Sequence, residues 1–456
     1  MQPQRLLTRS LRSMPHGQAL AEIMAAALAA VEPEQAVRRV LHRDGETLQI
    51  GDQRYDLRAV RRIFVVGAGK AGAPMAAAVA ATLGERLTEG VVIVKQGYAG
   101  AGDGGPIAIV EGGHPLPDAR GVAGAERIVQ LLTTAQADDL VLVLISGGGS
   151  ALLTLPTPGV TLDDSIALTR ALLGCGATIN EINTLRKHLS RMSGGRLAQI
   201  AAPARVATLI LSDVIGSPLD VIASGPTVPD PTTFADAWAI VERHAIADQL
   251  PPSIRAHLQR GRSDRSLETP KPDNPIFARV QQLVIGSNEI AALAAAETAR
   301  QQGYQPLLLT TYLEGEARIV GGVLANIARE LALHDRPIAK PALLIAGGET
   351  TVTLRGDGLG GRNQELALGA VHALVNLPQT TLVALATDGG DGPTDAAGAV
   401  VTGATLAEAQ TRGLDPASFL DRNDAYHFFA ALDDLLLPGP TLTNVNDLTL
   451  IAVGSV

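Results

Sequence analysis

The run Gly67-Ala-Gly69-Lys70-Ala-Gly72 sets a lysine inside a glycine turn, directly after the apolar stretch Ile-Phe-Val-Val. Where a strand breaks into such a turn and a helix follows, backbone amides point outward and the helix dipole favours an anion. Four more junctions of this kind occur. Leu140 to Ile145 runs into Ser146-Gly147-Gly148-Gly149-Ser150, and Ala207 to Leu211 into Ser212-Asp213. Leu283 to Ile285 runs into Gly286-Ser287-Asn288, and Leu343 to Ala346 into Gly347-Gly348-Glu349. One junction is ordinary in an α/β protein. Several, with one carrying Lys70, predict a site for a phosphate-bearing ligand, with Gly67, Gly69 and residues Ser146 to Ser150 as its walls.

A second set of residues suits cations and carboxylates. Thr387-Asp388-Gly-Gly-Asp391-Gly-Pro-Thr-Asp395 follows the apolar run Leu382 to Ala386. Carboxylates at a strand's C-terminal end lie where open α/β sheets bind ligands, and hard oxygens there suit Mg²⁺. Glu349 offers another carboxylate at a strand end. Gly360-Gly361-Arg362 places a guanidinium at the start of a helical pattern, where its fork can hold two oxygens of a carboxylate or phosphate. Asn444 and Asp447 read as parts of a polar turn.

Other motifs carry less. The first glycine turn matches the dinucleotide fingerprint G-x-G-x-x-G, but the next strand ends in Lys95, where an NAD site places an acid for the ribose. That lysine leaves NADP open. The turn is not a Walker A loop, since the glycine spacing fails and Ala71 follows Lys70. His42-Arg43-Asp44 lacks the asparagine of a protein-kinase loop, and no G-x-S-x-G surrounds Ser146 or Ser150. His114, in Gly112-Gly113-His114-Pro115, reads as a turn residue, and Cys175, between two glycines, as a small loop or core residue.

The elements that must position these residues alternate. Helical patterns cover 17–41, 71–82, 119–134, 163–174 and 181–192. Strand patterns cover 62–67, 91–95, 107–110, 140–145 and 206–212, and resume at 283, 306–311, 342–347, 381–387 and 448–453. Such alternation implies an α/β protein with largely parallel sheets covered by helices on both faces. A chain of 456 residues exceeds one comfortable core, so two domains are expected. Residues 248–275 are charged and proline-rich and read as a surface connection, which suggests domains at 1–245 and 276–456 with a link at 246–275. The hydrophobic content of 46% excludes disorder, and the net charge of -9 argues against a nucleic-acid surface. The single cysteine excludes an internal disulfide and fits a reducing cytoplasm. Glu22 interrupts the apolar stretch behind Arg5, Arg9 and Arg12, as in an amphipathic helix rather than a leader. The uncharged stretch 140–162 contains three consecutive glycines and two prolines, so it reads as strand and loop rather than a membrane span.

In order along the chain stand VVGAGKAG, GGHPLPD, LISGGGSALL, INTLRKHLSRMSGGRLA, LILSDVIGSPLDVIASGPTVPDP, AGGETTVTLRGDGLGGRNQELAL, ATDGGDGPTDAAGAVV and TNVNDL. This ordered set resembles the glycerate 2-kinase family, two-domain enzymes with a C-terminal MOFRL domain. The resemblance implies a Rossmann-like N-terminal lobe, a smaller α/β C-terminal lobe and an active site in the cleft between them. It implies transfer of the γ-phosphoryl group of ATP to the 2-hydroxyl of D-glycerate, with Mg²⁺, in a cytoplasmic enzyme that leaves room for a homodimer. It also places Lys70, Asp213, Glu349, Arg362, Asp388 and Asn444 on the family's proposed active-site positions. On that basis Lys70, Asp213, Arg362 and Asp388 are the catalytic candidates, and Asp388 and Glu349 the candidate metal ligands. Two other readings stay open: an NAD(P)-dependent hydroxypyruvate reductase, a label similar sequences often bear, and a non-catalytic nucleotide or sugar-acid sensor.

Overall fold

A computed structural model describes residues 1–100 and 105–454. The chain forms two units. One comprises Pro33–Ile285, the other Met1–Glu32 together with Gly286–Val456.

The continuous unit begins with a small antiparallel meander, β1 (Leu41–Asp44), β2 (Thr47–Ile50) and β3 (Gln53–Asp56). These strands were not legible in the sequence, and His42-Arg43-Asp44 lies on the first of them. The main sheet contains β4 (Ile63–Ala68), β5 (Leu87–Lys95), β6 (Ile107–Gly112), β7 (Leu140–Ile145), β8 (Arg205–Leu211) and β9 (Val280–Gly286), in the order β6-β5-β4-β7-β8-β9. From β6 through to β8 all pairings are parallel. Strands β4 and β7 are buried along their whole length, as covered parallel strands must be. The chain works outward from β4 to β6, then returns to β7 on the other side of β4. That reversal opens a crevice at the C-terminal ends of β4 and β7, the usual ligand position in such sheets. Both glycine turns lie there.

A helical layer belongs to the same unit. Helices Leu162–Gly174, Ile179–Leu189 and Phe234–Arg243 each start in a capping box: Thr161 with Asp164, Thr178 with Glu181, Thr233 with Asp236. They bury Leu168, Leu172, Leu185, Phe234 and Trp238 in a second core. Ile246, Leu250, Ile254 and Leu258 enter that core too, so 246–275 is no surface link. Helix Pro252–Gly261 buries one apolar face, and the charges that suggested a linker form its other face.

The discontinuous unit holds β10 (Gln305–Leu313), β11 (Ala342–Gly348), β12 (Thr380–Ala386), β13 (Gly398–Thr402), β14 (Leu435–Leu436) and β15 (Asp447–Val453), ordered β10-β11-β15-β12-β13-β14. Only β10 and β11 pair in parallel; β15 enters antiparallel between β11 and β12. The sheet is therefore mixed, because a strand arriving from the far side of its partners can run in either sense. Helix Gly17–Ala30 packs on helix Asn288–Gln301. Ser10 anchors the preceding turn on Asp434 through its amide (2.8 Å) and hydroxyl (2.7 Å). Residues 1–32 thus belong with the C-terminal unit, not with the N-terminal domain the sequence suggested. The expected helix at 17–41 is also broken, with Pro33 opening a separate helix, Pro33–Val40.

Candidate functional site

The sequence-predicted residues fall into two groups, one in each unit. In the continuous unit the two glycine turns lock together. Gly67 must lack a side chain, since a Cβ there would stand 2.1 Å from the Leu144 carbonyl oxygen on the neighbouring strand. Gly69, at φ +147°, faces Ser146 equally closely. The amides of this first turn are engaged within the fold. Gly69 donates to Ile93 O (3.0 Å), Lys70 to Gly147 O (2.9 Å), Ala71 to Ser146 Oγ (3.0 Å) and Gly72 to Gly69 O (3.0 Å). The first turn is therefore a scaffold, and its expected amide cradle is closed by these bonds.

The second turn differs. Gly148 is left-handed (φ +84°), and successive amides around such a residue form a concavity that favours anions. Among the described residues, the Gly147 and Gly148 amides have no acceptor. Lys70 lies beside them, its Cγ 3.6 Å from where a Gly148 Cβ would be. The His114 ring packs on the same glycine, 2.9 Å from that point. Burial, reinforced by repulsion from Lys70 and Lys95, lowers the His114 pKa and so favours its neutral imidazole. Asp213 closes the other flank, for a Cβ on Gly147 would stand 2.1 Å from its Oδ2. Ser150 Oγ shares a hydrogen bond with Ser224 Oγ (3.1 Å), whose hydroxyl reaches Asn183 Oδ1 (3.1 Å). Lys70, Ser146, Gly147, Gly148, Gly149, Ser150 and Asp213 are thus brought together, and His114 joins them. Sequence reasoning took His114 for a turn residue; its position just after β6, two strands over from the one that leads into the lysine, was the available signal.

In the other unit, Arg362 opens helix Arg362–Ala370. Its Nε and Nη2 donate to the two Asp447 oxygens (2.5 and 3.1 Å), and its Nη1 to Glu349 Oε1 (2.6 Å). Glu349 Oε2 also accepts from Asn446 Nδ2 (2.7 Å). Two carboxylates thus neutralise this guanidinium, and Glu349 has both oxygens engaged. Burial disfavours the arginine's charge, yet the bonds to Asp447 and the charges of both carboxylates hold its pKa above the ordinary value. Asp447, itself buried, is pushed up despite the arginine. It was read as turn polarity; here it opens β15 and closes the triad.

The carboxylates after β12 separate. Asp391 caps the helix, accepting from Asn363 N (3.2 Å) and Gln364 N (2.9 Å), and burial pushes its pKa up to about 6. Gly361 must be glycine because a Cβ would stand 2.2 Å from the Asp391 carboxyl carbon. Asp395 accepts from the Tyr426 hydroxyl (2.8 Å). Asp388 is exposed, with one oxygen accepting the Gly390 amide (3.1 Å). Asn444 turns its Oδ1 back to the Asn446 amide (3.1 Å). Among the described residues, no group of three or more His, Cys, Asp or Glu is placed to hold a metal ion. No helix among them is long and apolar enough to cross a membrane.

Residues 19–259 match the family described as a domain of unknown function, DUF4147, and residues 342–447 match the MOFRL family. A protein of Pyrococcus horikoshii named glycerate 2-kinase is 40% identical over 430 residues, covering 94% of this chain and 95% of its own. The chain belongs to the glycerate 2-kinase family. A crystal structure of glycerate kinase from Thermotoga maritima superimposes with a TM-score of 0.86 at 39% identity, covering 96% of this chain and 99% of that one. A protein of Agrobacterium vitis bearing a hydroxypyruvate reductase name is 46% identical over 395 residues, 86% of this chain and 87% of its own. Family membership accounts for the ordered motifs and for the α/β architecture of both units.

Proposed function

We propose that this protein is a glycerate 2-kinase, transferring the γ-phosphoryl group of ATP to the 2-hydroxyl of D-glycerate. The observation that carries this reading is the pair of amides at Gly147 and Gly148, without an acceptor among the described residues, beside Lys70 in a chain about two-fifths identical to a named glycerate 2-kinase along nearly its whole length. Phosphoryl transfer asks mainly for in-line positioning and charge neutralisation. The two amides and the Lys70 ammonium supply fixed positive potential for phosphoryl oxygens. Asp213, packed against Gly147, is the carboxylate we assign to receive the hydroxyl proton. The substrate oxygen bonds to the γ-phosphorus as the bridge to the β-phosphate breaks, giving 2-phosphoglycerate and ADP.

The donor set fits Mg²⁺ only as a partner of the nucleotide. Glu349 is engaged with Arg362 and Asn446 and is withdrawn as a ligand, whereas Asp388 is exposed with oxygens to offer. Magnesium is commonly held by one or two carboxylates plus substrate phosphates, and supplies charge neutralisation on those phosphates. Arg362 acts by holding Glu349 and Asp447 in place. A reductase would need the first-turn amides for a dinucleotide pyrophosphate, and all of Gly69 to Gly72 are engaged elsewhere. Phosphorus NMR of the product from D-glycerate and Mg-ATP tests the reading: 2-phosphoglycerate is expected. NAD(P)H oxidation with hydroxypyruvate, without phosphorylation, overturns it.

A further inference from the structure

The continuous unit contains a cavity bordering the second glycine turn. Ser150 and Ala151 form one wall; Leu153 to Pro156, Leu168, Arg186, Leu189 and Ser190 belong to the others. Its interior volume is about 70 Å³. At the roughly 10–15 Å³ of such space that one water needs, it holds about five to seven waters. That is close to the number of non-hydrogen atoms in a three-carbon hydroxy acid, and far short of a nucleoside.

Among the described residues that line it, Arg186 is the one charge. It lies on helix Ile179–Leu189 within Arg186-Lys187-His188. Its two neighbours have partners: Lys187 pairs with Asp220 (3.3 Å) and Asp230 (3.5 Å), and His188 faces Glu268 (3.5 Å). Among the described residues, Arg186 has neither a carboxylate nor a hydrogen-bond acceptor. Burial alone lowers its pKa, with no opposing charge to raise it. A partly buried guanidinium without a counter-charge is poorly compensated until an anion supplies one. Around it, Ser150, Ser190, Ser193 and Ser224 offer hydroxyls suited to a polyhydroxy ligand, while leucines and prolines complete the walls. Arg362, the arginine first expected to grip a carboxylate, is already neutralised by Glu349 and Asp447.

We propose that this cavity is the subsite for the three-carbon acid, with Arg186 holding its carboxylate in a bidentate fork and Ser150 continuing the subsite toward the Gly147-Gly148 amides. The assignment rests on the glycerate kinase reading. It makes Arg186 the residue that separates glycerate from glycerol, which lacks only the acid group.

Calorimetric titration of D-glycerate without nucleotide, beside steady-state kinetics with each substrate varied, tests it. Arg186→Met is expected to weaken glycerate binding and raise its KM by roughly 10²-fold, the scale of a lost charge-assisted fork. KM for ATP should stay within about twofold, and the preference for glycerate over glycerol should shrink by the same factor as binding. Ala151→Leu, which fills the cavity without touching the charge, should abolish glycerate binding while retaining the wild-type melting temperature. Unchanged glycerate binding in either folded variant, or a KM rise for ATP equal to that for glycerate, overturns the subsite. If wild type makes no 2-phosphoglycerate, the kinase reading fails, and the titration still decides the subsite on its own.

Discussion

Replacing Arg362 with methionine tests whether this arginine works as the centre of a charge triad or as a substrate grip. The three partners differ in burial. Glu349 has 43% of its side chain exposed and regains water when the arginine leaves, whereas Asp447 has 10% and does not. Breaking a fully buried pair by removing one partner costs about 3–5 kcal/mol. Arg362 is itself 32% exposed, so screening reduces the figure here to about 2–3 kcal/mol. The loss is further limited because Asp447, with its pKa already raised by burial, can take up a proton once the arginine is gone. Arg362→Met should therefore be least destabilised below the pKa of Asp447 and more so above it. Arg362→Met with Asp447→Asn should recover most of the lost stability and none of the activity. Urea unfolding of wild type, both single variants and the double variant gives the coupling energy, expected at about 2 kcal/mol. If the double variant loses the sum of the two singles, the ion pair is not there. Kinetics on Arg362→Lys add a second decision. If Arg362 positions groups, kcat should fall roughly 10–10³-fold with KM for glycerate little changed. A tenfold rise in that KM at unchanged kcat would make Arg362 the carboxylate binder and refute the reasoning.

Lys70→Met keeps bulk and removes the charge beside the Gly147-Gly148 amides, so kcat should fall about 10²-fold or more with the fold intact; activity within threefold of wild type would reduce Lys70 to packing. Gly147→Ala drives a methyl group into the Asp213 carboxylate rather than into backbone, so near-normal unfolding with kcat lowered by roughly 10²-fold is expected. Full activity there would remove Asp213 from the chemistry. Gly67→Ala strikes the Leu144 carbonyl between two parallel strands and should fail on stability instead, by about 1–3 kcal/mol or more in thermal melts. Asp391 has a folded pKa of about 6, above its ordinary 3.8, so the native state holds the proton longer and stability falls as pH rises from about 4 to about 6. Asp391→Asn should flatten that slope while costing about 1–2 kcal/mol of helix capping; an unaltered slope would assign the titration to another group.

The strands that carry the glycine turns were legible because strands covered on both faces read as unbroken apolar runs, as in Leu140 to Ile145 and Ala342 to Ala346. The meander at 41–56 was not, because its strands have four residues each and bury only one or two of them. The allegiance of helix Gly17–Ala30 was hidden for another reason. Its alanine-rich surface announces burial but carries no information about a partner more than 250 residues away. At the site, glycines and Lys70 could be placed from local pattern alone. That Ser146 and Gly147 would occupy the amides of the first turn depends on strand order, which periodicity does not encode. Asp391 looked like the carboxylates beside it and Asp447 like turn polarity, until pairing across 28 and 85 residues made one a helix cap and the other a counter-ion.

Strand β15 joins β11 to β12, yet it follows both in the chain, and helix Gly17–Ala30 precedes everything it packs on. The unit at 33–285 is contiguous and can complete its sheet as soon as β9 has left the ribosome. The other cannot. Its sheet keeps two unpaired inner edges, at β11 and β12, until β15 emerges, and residues 1–32 must wait for the whole intervening unit before finding helix Asn288–Gln301. Non-local closure of this kind is slow, and unpaired strand edges invite aggregation. The order of synthesis therefore makes the discontinuous unit the late and vulnerable step of biogenesis, where chaperone dependence and sensitivity to translation rate should concentrate.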